Sequence, residues 1–597
     1  MCGIVGYTGD KQAAPILLSG LEKLEYRGYD SAGLAVRDGK LLPEIVKAKG
    51  RLIALKEKTN DGKAVSGCCG IGHTRWATHG EPNKINAHPH ISNSGRFVLV
   101  HNGVIDNYKK LKSTKLNDFS FYSETDTEVI VNLIDYYVFK KNMNVDDAIK
   151  KTMVKLEGSY SLLILDKENL DRIYIAKNKT PLLIGIGSDG MYISSDTAPL
   201  AGHCDKYCVL EDHTFGIIKA DSFELYDTIG LEREKNIYEL KCSKNDVSKG
   251  EYPHFMLKEI CEQPGVIRTL ITNYFEDEDI KIDPKLIALI KKCNKINFVA
   301  CGTSMYASYM AKYYFEKLCE IPSEVFIASE LVYSTPLIKD KPLFIFLSQS
   351  GETADSIAVM KRCKKAGYPI LSITNTEVST MVGLADYNLN IFAGKEIAVA
   401  STKAYVAQIV TCAILAKAVS GKQTNLKNNL NRVALAVENV IENKETIRAM
   451  ANEIKDAKDV FYIGRGIDYW TCLEASLKLK EISYIHTEAF SSGELKHGSI
   501  ALIEKGTPVI AICTQEGTNA IIRSNLIETK SRGAKTYVIS LESMSHNEDD
   551  IVLPNVAHYL TPLVSVVVCQ LLAYYVAVLK GNDVDKPKNL AKAVTVE

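Results

Sequence analysis

The chain has 597 residues, enough for about four compact units at roughly 150 residues each. Its 72 Lys and Arg balance its 72 Asp and Glu, and a pI near 7.1 lacks the basic excess that phosphate neutralisation demands of a nucleic-acid binder. Hydrophobic residues at 46% and charged residues at 24% exclude a disordered chain and a collagen-like one.

In chain order, residues 1–240 come first and are rich in short β-type runs. Phe97 to Val100, Ser161 to Leu165 and Met191 to Ser194 are examples, parted by Gly, Asn and Asp turns. The opening MCGIVGY has neither a basic segment nor a long apolar one, so it does not read as a secretion signal. Fifteen scattered cysteines read as reduced, small hydrophobes of a cytoplasmic protein rather than as a disulfide framework. Cys204 and Cys208 have the spacing of half a zinc site, but no second pair follows at ligand spacing. His73, His79, His88, His90 and His101 also lack a compact ligand pattern and read as hydrogen-bonding histidines. No metal and no cofactor is expected.

The polar stretch Leu240 to Pro253 loses periodicity, which places a linker at 241–252. Beyond it, buried strands, Gly-containing turns and amphipathic helices alternate as in parallel α/β units. INFVACGT (296–303) resembles DVFYIGRG (459–466), with Phe298 matching Phe461 at an offset of 163. Gln349 matches Gln515 and Gly367 matches Gly533, both at an offset of 166. Two diverged copies of one fold are therefore expected, at 253–425 and 426–587, with a tail at 588–597. Leu560 to Leu579 holds no charged residue and is long enough on paper to span a membrane. Pro562, Ser565, Gln570, Tyr574 and Tyr575 within it, without a clear basic flank, favour a core strand or turn followed by a buried helix, so no membrane partner is expected.

Cys2 is the most informative residue. With Met1 removed it would carry a thiol and a free α-amine together, and an α-amine with a reference pKa of about 7.7 can take the thiol proton at neutral pH. CGIVGY (2–7), LEYRGYDSAG (24–33), HTRWATHG (73–80), HNG (101–103) and SETDTEV (123–129) follow in order. Together they closely resemble the glutamine amidotransferase domain of the N-terminal-nucleophile class. The resemblance implies that the Asn102 side chain and the Gly103 amide stabilise the oxyanion. It further implies that Arg75 binds the glutamine carboxylate, that Asp126 binds its α-ammonium, and that Thr78 and His79 frame the pocket.

In the second half, CGTS (301–304) follows a buried strand and precedes a helix expected to begin near Met305. SQSGET (348–353) stands in the same relation to PLFIFL. Both turns put hydroxyls and backbone N–H groups at the positive end of a helix, which suits a phosphate, although Ser and Thr also cap helices routinely. Neither matches a nucleotide-binding glycine motif. With VASTKAY (399–405), EASLKLKEISYIH (474–486), GELKHG (493–498) and NLAKAVTVE (589–597), these motifs strongly resemble the tandem sugar-isomerase domains of the glutamine–fructose-6-phosphate aminotransferase family.

The fold class this implies is α/β plus α+β. An amidotransferase domain of αββα layers would be followed by two tandem sugar-isomerase (SIS) parallel α/β domains. The implied activity moves the amide nitrogen of L-glutamine to D-fructose 6-phosphate and isomerises the product to D-glucosamine 6-phosphate, a committed step towards UDP-N-acetylglucosamine. The resemblance assigns Lys592 to a Schiff base with the opened sugar, Glu481 to proton transfer between C1 and C2, and His497 to ring opening. Cys301, Gly302, Thr303, Ser304, Ser348, Gln349, Ser350, Thr353, Val399 and Ser401 would hold the sugar phosphate, and Lys478, three residues before Glu481, would tune it. Trp76 would gate an ammonia channel. His497 would serve a neighbouring subunit, which implies a homodimer or a larger homo-oligomer.

Ser499, Lys588 and Ala593 depart from the proline, arginine and serine usual in the family, and the long amidotransferase insertion of animal and fungal members is missing. Feedback by a nucleotide sugar is therefore not expected. A second reading is a SIS-fold sugar-phosphate sensor with degenerate catalysis. It predicts lost nucleophiles or a DNA-binding appendage, and the sequence carries neither.

Overall fold

The computed structural model describes residues 2–25, 28–39, 43–240, 248–334, 338, 341–422 and 424–595. Tyr26 and Arg27 of the second amidotransferase motif, 241–247 of the expected linker and 596–597 of the tail lie outside the described residues. The chain divides into two compact units, Met1–Ser248 with Ala593–Glu597, and Lys249–Lys592.

In the first unit, alternating β-branched and aromatic residues build two antiparallel sheets. The eight-stranded sheet runs Ile237–Glu239, Lys206–Val209, Leu183–Gly187, Gly190–Ser194, Gly3–Gly9, Cys69–Arg75, Ser31–Arg37, Glu44–Lys49. The six-stranded sheet runs Phe223–Tyr226, Thr214–Ile218, Ile173–Asn178, Gly158–Asp166, Phe97–Ile105, His90–Ile91. Ile4, Ile71, Val98, Val100, Leu163 and Ile193 fill the space between the sheets. Helix Ala13–Glu22 covers the outer face of the first sheet, and Thr127–Asp135 and Val145–Lys155 cover that of the second. These are the four αββα layers. Gly3 lies opposite Thr74, so Cys2 falls at the end of the Cys69–Arg75 strand, beside Trp76. Cys204 and Cys208 belong to different apolar cores, on opposite sides of the larger sheet, so the two thiols do not converge.

The second unit holds two five-stranded parallel sheets. One runs Ser323–Ile327, Ile296–Ala300, Leu343–Ser348, Ile370–Thr374, Tyr387–Asn390. The other runs His486–Ser491, Asp459–Gly464, Pro508–Cys513, Lys535–Leu541, Ile551–Leu553. The strand order is identical, and Phe298 pairs with Ile345 as Phe461 pairs with Val509. The duplication read from motif spacing is thus a duplication of topology. In such a sheet the order reverses between the first and third strands, and ligands bind at the crevice beyond their carboxyl ends. In the first copy that crevice is bordered by 301–304 and 349–353.

The helix expected to begin near Met305 begins at Gly302. Gly302 adopts φ +55°, a left-handed conformation that admits glycine readily, and the chain turns from strand to helix without an intervening loop. Thr303 and Ser304 therefore lie in the first helical turn. The uncharged segment near the C-terminus is a short 3-10 turn, His558–Leu560, followed by helix Pro562–Leu579. By length and composition it and Lys403–Ser420 could cross a membrane, but each is 83% buried inside the fold. Helices Ile467–Ser483, Lys444–Ile454 and Leu426–Glu442 pack against Pro562–Leu579. Burial of each fully buried Val or Leu side chain in this helix stabilises the core by roughly 1.5–3 kcal/mol, an upper estimate.

Candidate active site

At the first site the strand ends do the positioning. The Trp76 N–H donates to Cys2 Sγ at 3.3 Å, and the thiol faces the Trp76 carbonyl at 3.5 Å. Burial pushes the Cys2 thiol up, opposed by the Trp76 hydrogen bond and the Arg75 charge, so the thiol needs a base to become a nucleophile. Asn102, buried on the Phe97–Ile105 strand, donates from Nδ2 to the Cys2 carbonyl at 3.2 Å, which sets its amide beside Cys2. Gly103 has φ +134°, and a Cβ there would lie 2.0 Å from the Ser159 carbonyl oxygen, so only glycine fits. Asp126 is buried with Oδ2 accepting the Ile105 N–H at 2.8 Å.

Arg75 donates to the carbonyls of His79, Gly80 (3.1 Å) and Glu81 (3.3 Å), and so shapes the loop that follows Trp76. Asp30 accepts the Ala77 N–H at 2.8 Å and anchors the same loop. The His79 ring packs edge-on to Tyr108, with a buried Nδ1 that has no partner, while Thr78 is exposed. Trp76 packs edge-on to Tyr29 at 6.1 Å.

Behind this site, four of the five histidines read from the sequence as hydrogen-bonding residues form one layer. His73, His88, His90 and His101 are all buried, and His73 stacks on His88 at 4.0 Å. His101 Nδ1 bonds to Thr127 Oγ1 at 3.0 Å, His88 Nδ1 accepts the His101 N–H at 3.2 Å, and His90 Nε2 meets Thr125 Oγ1 at 3.2 Å. The layer thus ties the neighbours of Asn102 to the residues flanking Asp126. Burial pushes all four rings down, His73 to about 3, so they are neutral.

At the second site, the two crevice turns end in helix starts that their own side chains leave uncapped. Thr353, at the N-cap of Ala354–Lys365, turns its hydroxyl instead to Ser348 Oγ at 3.0 Å. Ser348 Oγ accepts the Gly351 N–H at 3.0 Å and Ser350 Oγ the Glu352 N–H at 3.2 Å, folding the turn into a cradle of hydroxyls and N–H groups. Ser304 Oγ accepts from Gln408 at 2.9 Å, and Thr303 Oγ1 donates to Glu474 at 3.3 Å. Cys301 is half-buried at the end of its strand, and Gln349 accepts the Asn375 N–H through its carbonyl.

The second copy treats the same place differently. Asp468, fully buried, accepts the Thr514 N–H at 2.9 Å and the Thr514 hydroxyl, so its own carboxylate takes the donors an anion would need.

Helix Ile467–Ser483 presents Glu474, Lys478 and Glu481 on one face. Lys478 Nζ lies 2.6 Å from Glu481 and 3.6 Å from Glu474. Burial pushes Glu474 up to about 8. It also opposes the charge on Lys478, but the two carboxylates outweigh it and hold Lys478 above the usual lysine range. Glu474 was missed from the sequence, although its spacing to Lys478 and Glu481 follows the helical repeat.

Lys592 is ion-paired with Glu396 and donates to Ser401 Oγ at 3.2 Å. Val399 is buried, its N–H bonded to the Asp585 carbonyl at 3.0 Å. His497, itself exposed, follows the Glu494–Lys496 turn, and among the described residues its ring has no hydrogen-bonding partner.

Comparison with known proteins agrees with this division. The model of the glutamine amidotransferase domain matches 73–201, and that of the SIS domain matches 289–418 and 453–580. The glutamine–fructose-6-phosphate aminotransferase (isomerizing) of Staphylococcus epidermidis is 49% identical over 606 aligned residues, covering all of both chains. That of Listeria monocytogenes is 48% identical with the same coverage. A solved C-terminal domain of glucosamine-fructose-6-phosphate aminotransferase from Francisella tularensis is 36% identical, with a TM-score of 0.55, and covers 57% of this chain and 100% of its own. Identity near one half along the entire length, with both domain types in order, makes this chain a member of the glutamine–fructose-6-phosphate aminotransferase (isomerizing) family.

Proposed function

We propose that the chain hydrolyses glutamine at Cys2 and delivers the nitrogen to fructose 6-phosphate at Lys592, giving glucosamine 6-phosphate and glutamate. At the first site, the α-amine freed by removal of Met1 takes the thiol proton, and Sγ attacks the glutamine amide carbon. Asn102 Nδ2 and the Gly103 N–H receive the oxyanion. Arg75 and Asp126 hold the substrate carboxylate and α-ammonium, with Thr78 and His79 at the rim. The tetrahedral species expels ammonia, leaving a thioester that water cleaves to glutamate.

At the second site, the phosphate sits on the turns carrying Cys301 to Ser304 and Ser348 to Thr353. His497 of a neighbouring copy opens the ring, and its exposed position supports that reading. Lys592 forms a Schiff base at C2, with Val399 and Ser401 beside it. Ammonia then displaces the lysine, and Glu481, held by Lys478, moves a proton between C1 and C2 to give the aldose. Ammonia would be protonated in bulk water, so Trp76 acts as a gate on its route. The proposal includes a homo-oligomer of at least two chains and a cytoplasmic location, for which the free thiols among the described residues speak.

One observation carries the reading: a lysine from the last residues of the chain sits on Ser401, within a motif of the first SIS copy, while a thiol and a buried amide donor meet at residue 2. The test supplies glutamine labelled at the amide nitrogen together with fructose 6-phosphate. Labelled glucosamine 6-phosphate by mass spectrometry is the expected outcome, and unlabelled or missing product would overturn it.

A further inference from the structure

A Schiff base needs a neutral amine, yet Lys592 is held in an ion pair. Its side chain is 4% exposed and that of Glu396 is 0% exposed, so solvent is poorly placed to take the proton. We propose that Glu396 is the base that removes the Lys592 proton for attack on the sugar carbonyl and returns it to the departing oxygen. This deepens the reading of Lys592 as the Schiff-base amine and rests on it.

The carboxylate is built for the task. Glu396 Oε2 contacts Lys592 Nζ, while Oε1 accepts the Thr402 N–H at 2.9 Å and the Ala404 N–H at 3.0 Å. Those two amides open helix Lys403–Ser420, so the carboxylate is aimed by its backbone bonds and faces the positive end of the helix. Glu259, from helix Phe255–Cys261, lies on the other side of the same segment. It accepts the Ile397 and Ala398 N–H groups through Oε1 and leaves Oε2 buried without a partner.

Burial and the Glu396 charge push Glu259 up, so the negative charge of the pair resides on Glu396. The other charged groups nearby are already engaged. Lys403 pairs with Glu262 at 2.7 Å, and Lys478, which feels the Glu396 charge, pairs with Glu481 and Glu474. Glu481 is therefore occupied by Lys478 when Lys592 must lose its proton, and Glu396 is the carboxylate in contact with the reacting nitrogen.

The step balances without a further reactant. Glu396 takes one proton from the ammonium, and the amine attacks C2 of the open-chain ketose to give a carbinolamine. The carbinolamine hydroxyl takes the proton back from Glu396 and leaves as water, with the nitrogen losing its second hydrogen to the same oxygen. The product is an iminium carrying one N–H, with the same net charge as at the start, and Glu396 is regenerated.

The experiment incubates the full chain with fructose 6-phosphate, without glutamine, adds borohydride, and maps the reduced adduct by peptide mass spectrometry. In the wild type the adduct should map to Lys592; an adduct elsewhere overturns the Schiff-base assignment itself and this proposal with it. With Lys592 confirmed, Glu396→Gln keeps an oxygen for the Thr402 and Ala404 amides but cannot accept the proton. Trapping at pH 7 should fall about 10²-fold while fructose 6-phosphate still binds, and should recover as the pH is raised towards the ordinary lysine value of about 10. Wild-type trapping by the variant, or a loss that no rise in pH restores, would overturn the base role and leave Lys592 as the amine. If circular dichroism finds Glu396→Gln unfolded, Glu396→Asp carries the test. Slower trapping that recovers with pH supports the proposal, and a wild-type rate at every pH overturns it.

Discussion

Asn102→Ala is the sharpest test of the glutaminase site, because the structure separates its effect on folding from its effect on chemistry. Asn102 is buried, with Nδ2 on the Cys2 carbonyl at 3.2 Å and Oδ1 without a partner, so truncation removes one neutral hydrogen bond from the fold. That bond is worth about 1 kcal/mol, a modest fall in melting temperature. On the proposed mechanism the same Nδ2 faces a developing oxyanion, where losing one donor costs roughly 10²–10³ in kcat, or about 2.7–4 kcal/mol. Glutamate release should therefore fall by that factor with a much smaller change in KM, since the donor is used mainly in the transition state. Asn102→Asp preserves shape but sets an acceptor and a charge against the oxyanion, and should be at least as poor. Initial rates of glutamate release, with melting curves to verify folding, decide the matter. A folded alanine variant within a few-fold of wild-type kcat would refute the oxyanion role.

Intact-mass measurement of active protein should find Cys2 as the first residue, and retained Met1 at full activity would contradict the α-amine as base. Trp76→Ala should leave both half-reactions measurable but release more glutamate than amino sugar, and an unchanged ratio would reject gating. Cys2→Ala should abolish glutamine hydrolysis while fructose 6-phosphate still binds; Lys592→Ala should cut amino-sugar formation by at least about 10²-fold while glutamine hydrolysis stays measurable. The buried histidines bind protons more weakly in the folded chain than in the unfolded one, so stability should be lost as pH falls below about 6.5. With His73 pushed from 6.5 to about 3, this one ring should cost about 2 kcal/mol at pH 5, and a melting temperature that is flat from pH 7 to 5 would refute a neutral layer.

Motifs were legible where function lies in contiguous backbone. The CGIVGY and HTRWATHG motifs lie on paired strands, and the register that sets Gly3 opposite Thr74 brings Cys2 to Trp76. The roles proposed for Asn102 and Gly103 come from the resemblance alone; the two are consecutive residues of the Phe97–Ile105 strand. Contacts between distant segments could not be read. Glu396 precedes the VASTKAY motif by three residues, but its partner Lys592 lies 196 positions away, and no local pattern announces a pairing at that separation. The histidines were read as hydrogen-bonding residues, but their partners could not be read, since His101 bonds to Thr127 and His90 to Thr125, 26 and 35 positions away. The start of the helix at Gly302 was missed by three residues, since a single positive φ replaced the expected loop.

The duplicated half explains why weak similarity between the copies accompanies identical topology. Both sheets keep the same strand order, because buried parallel strands tolerate any well-packed apolar set of the right volume. At the crevice the requirement is stricter. On the proposed reading a phosphate needs converging donors, and the first copy offers two helix starts that their own side chains leave uncapped. In the second copy Thr514, aligned in the fold with Ser348, gives both its N–H and its hydroxyl to Asp468. Burial pushes Asp468 up to about 7, and whether charged or protonated it occupies the place of an incoming anion. That copy contributes helix Ile467–Ser483, whose Glu474 accepts from Thr303 of the first crevice. On the proposed reading one copy holds the phosphate and the other delivers the acid–base helix, so neither half-fold would be a complete sugar site without the other.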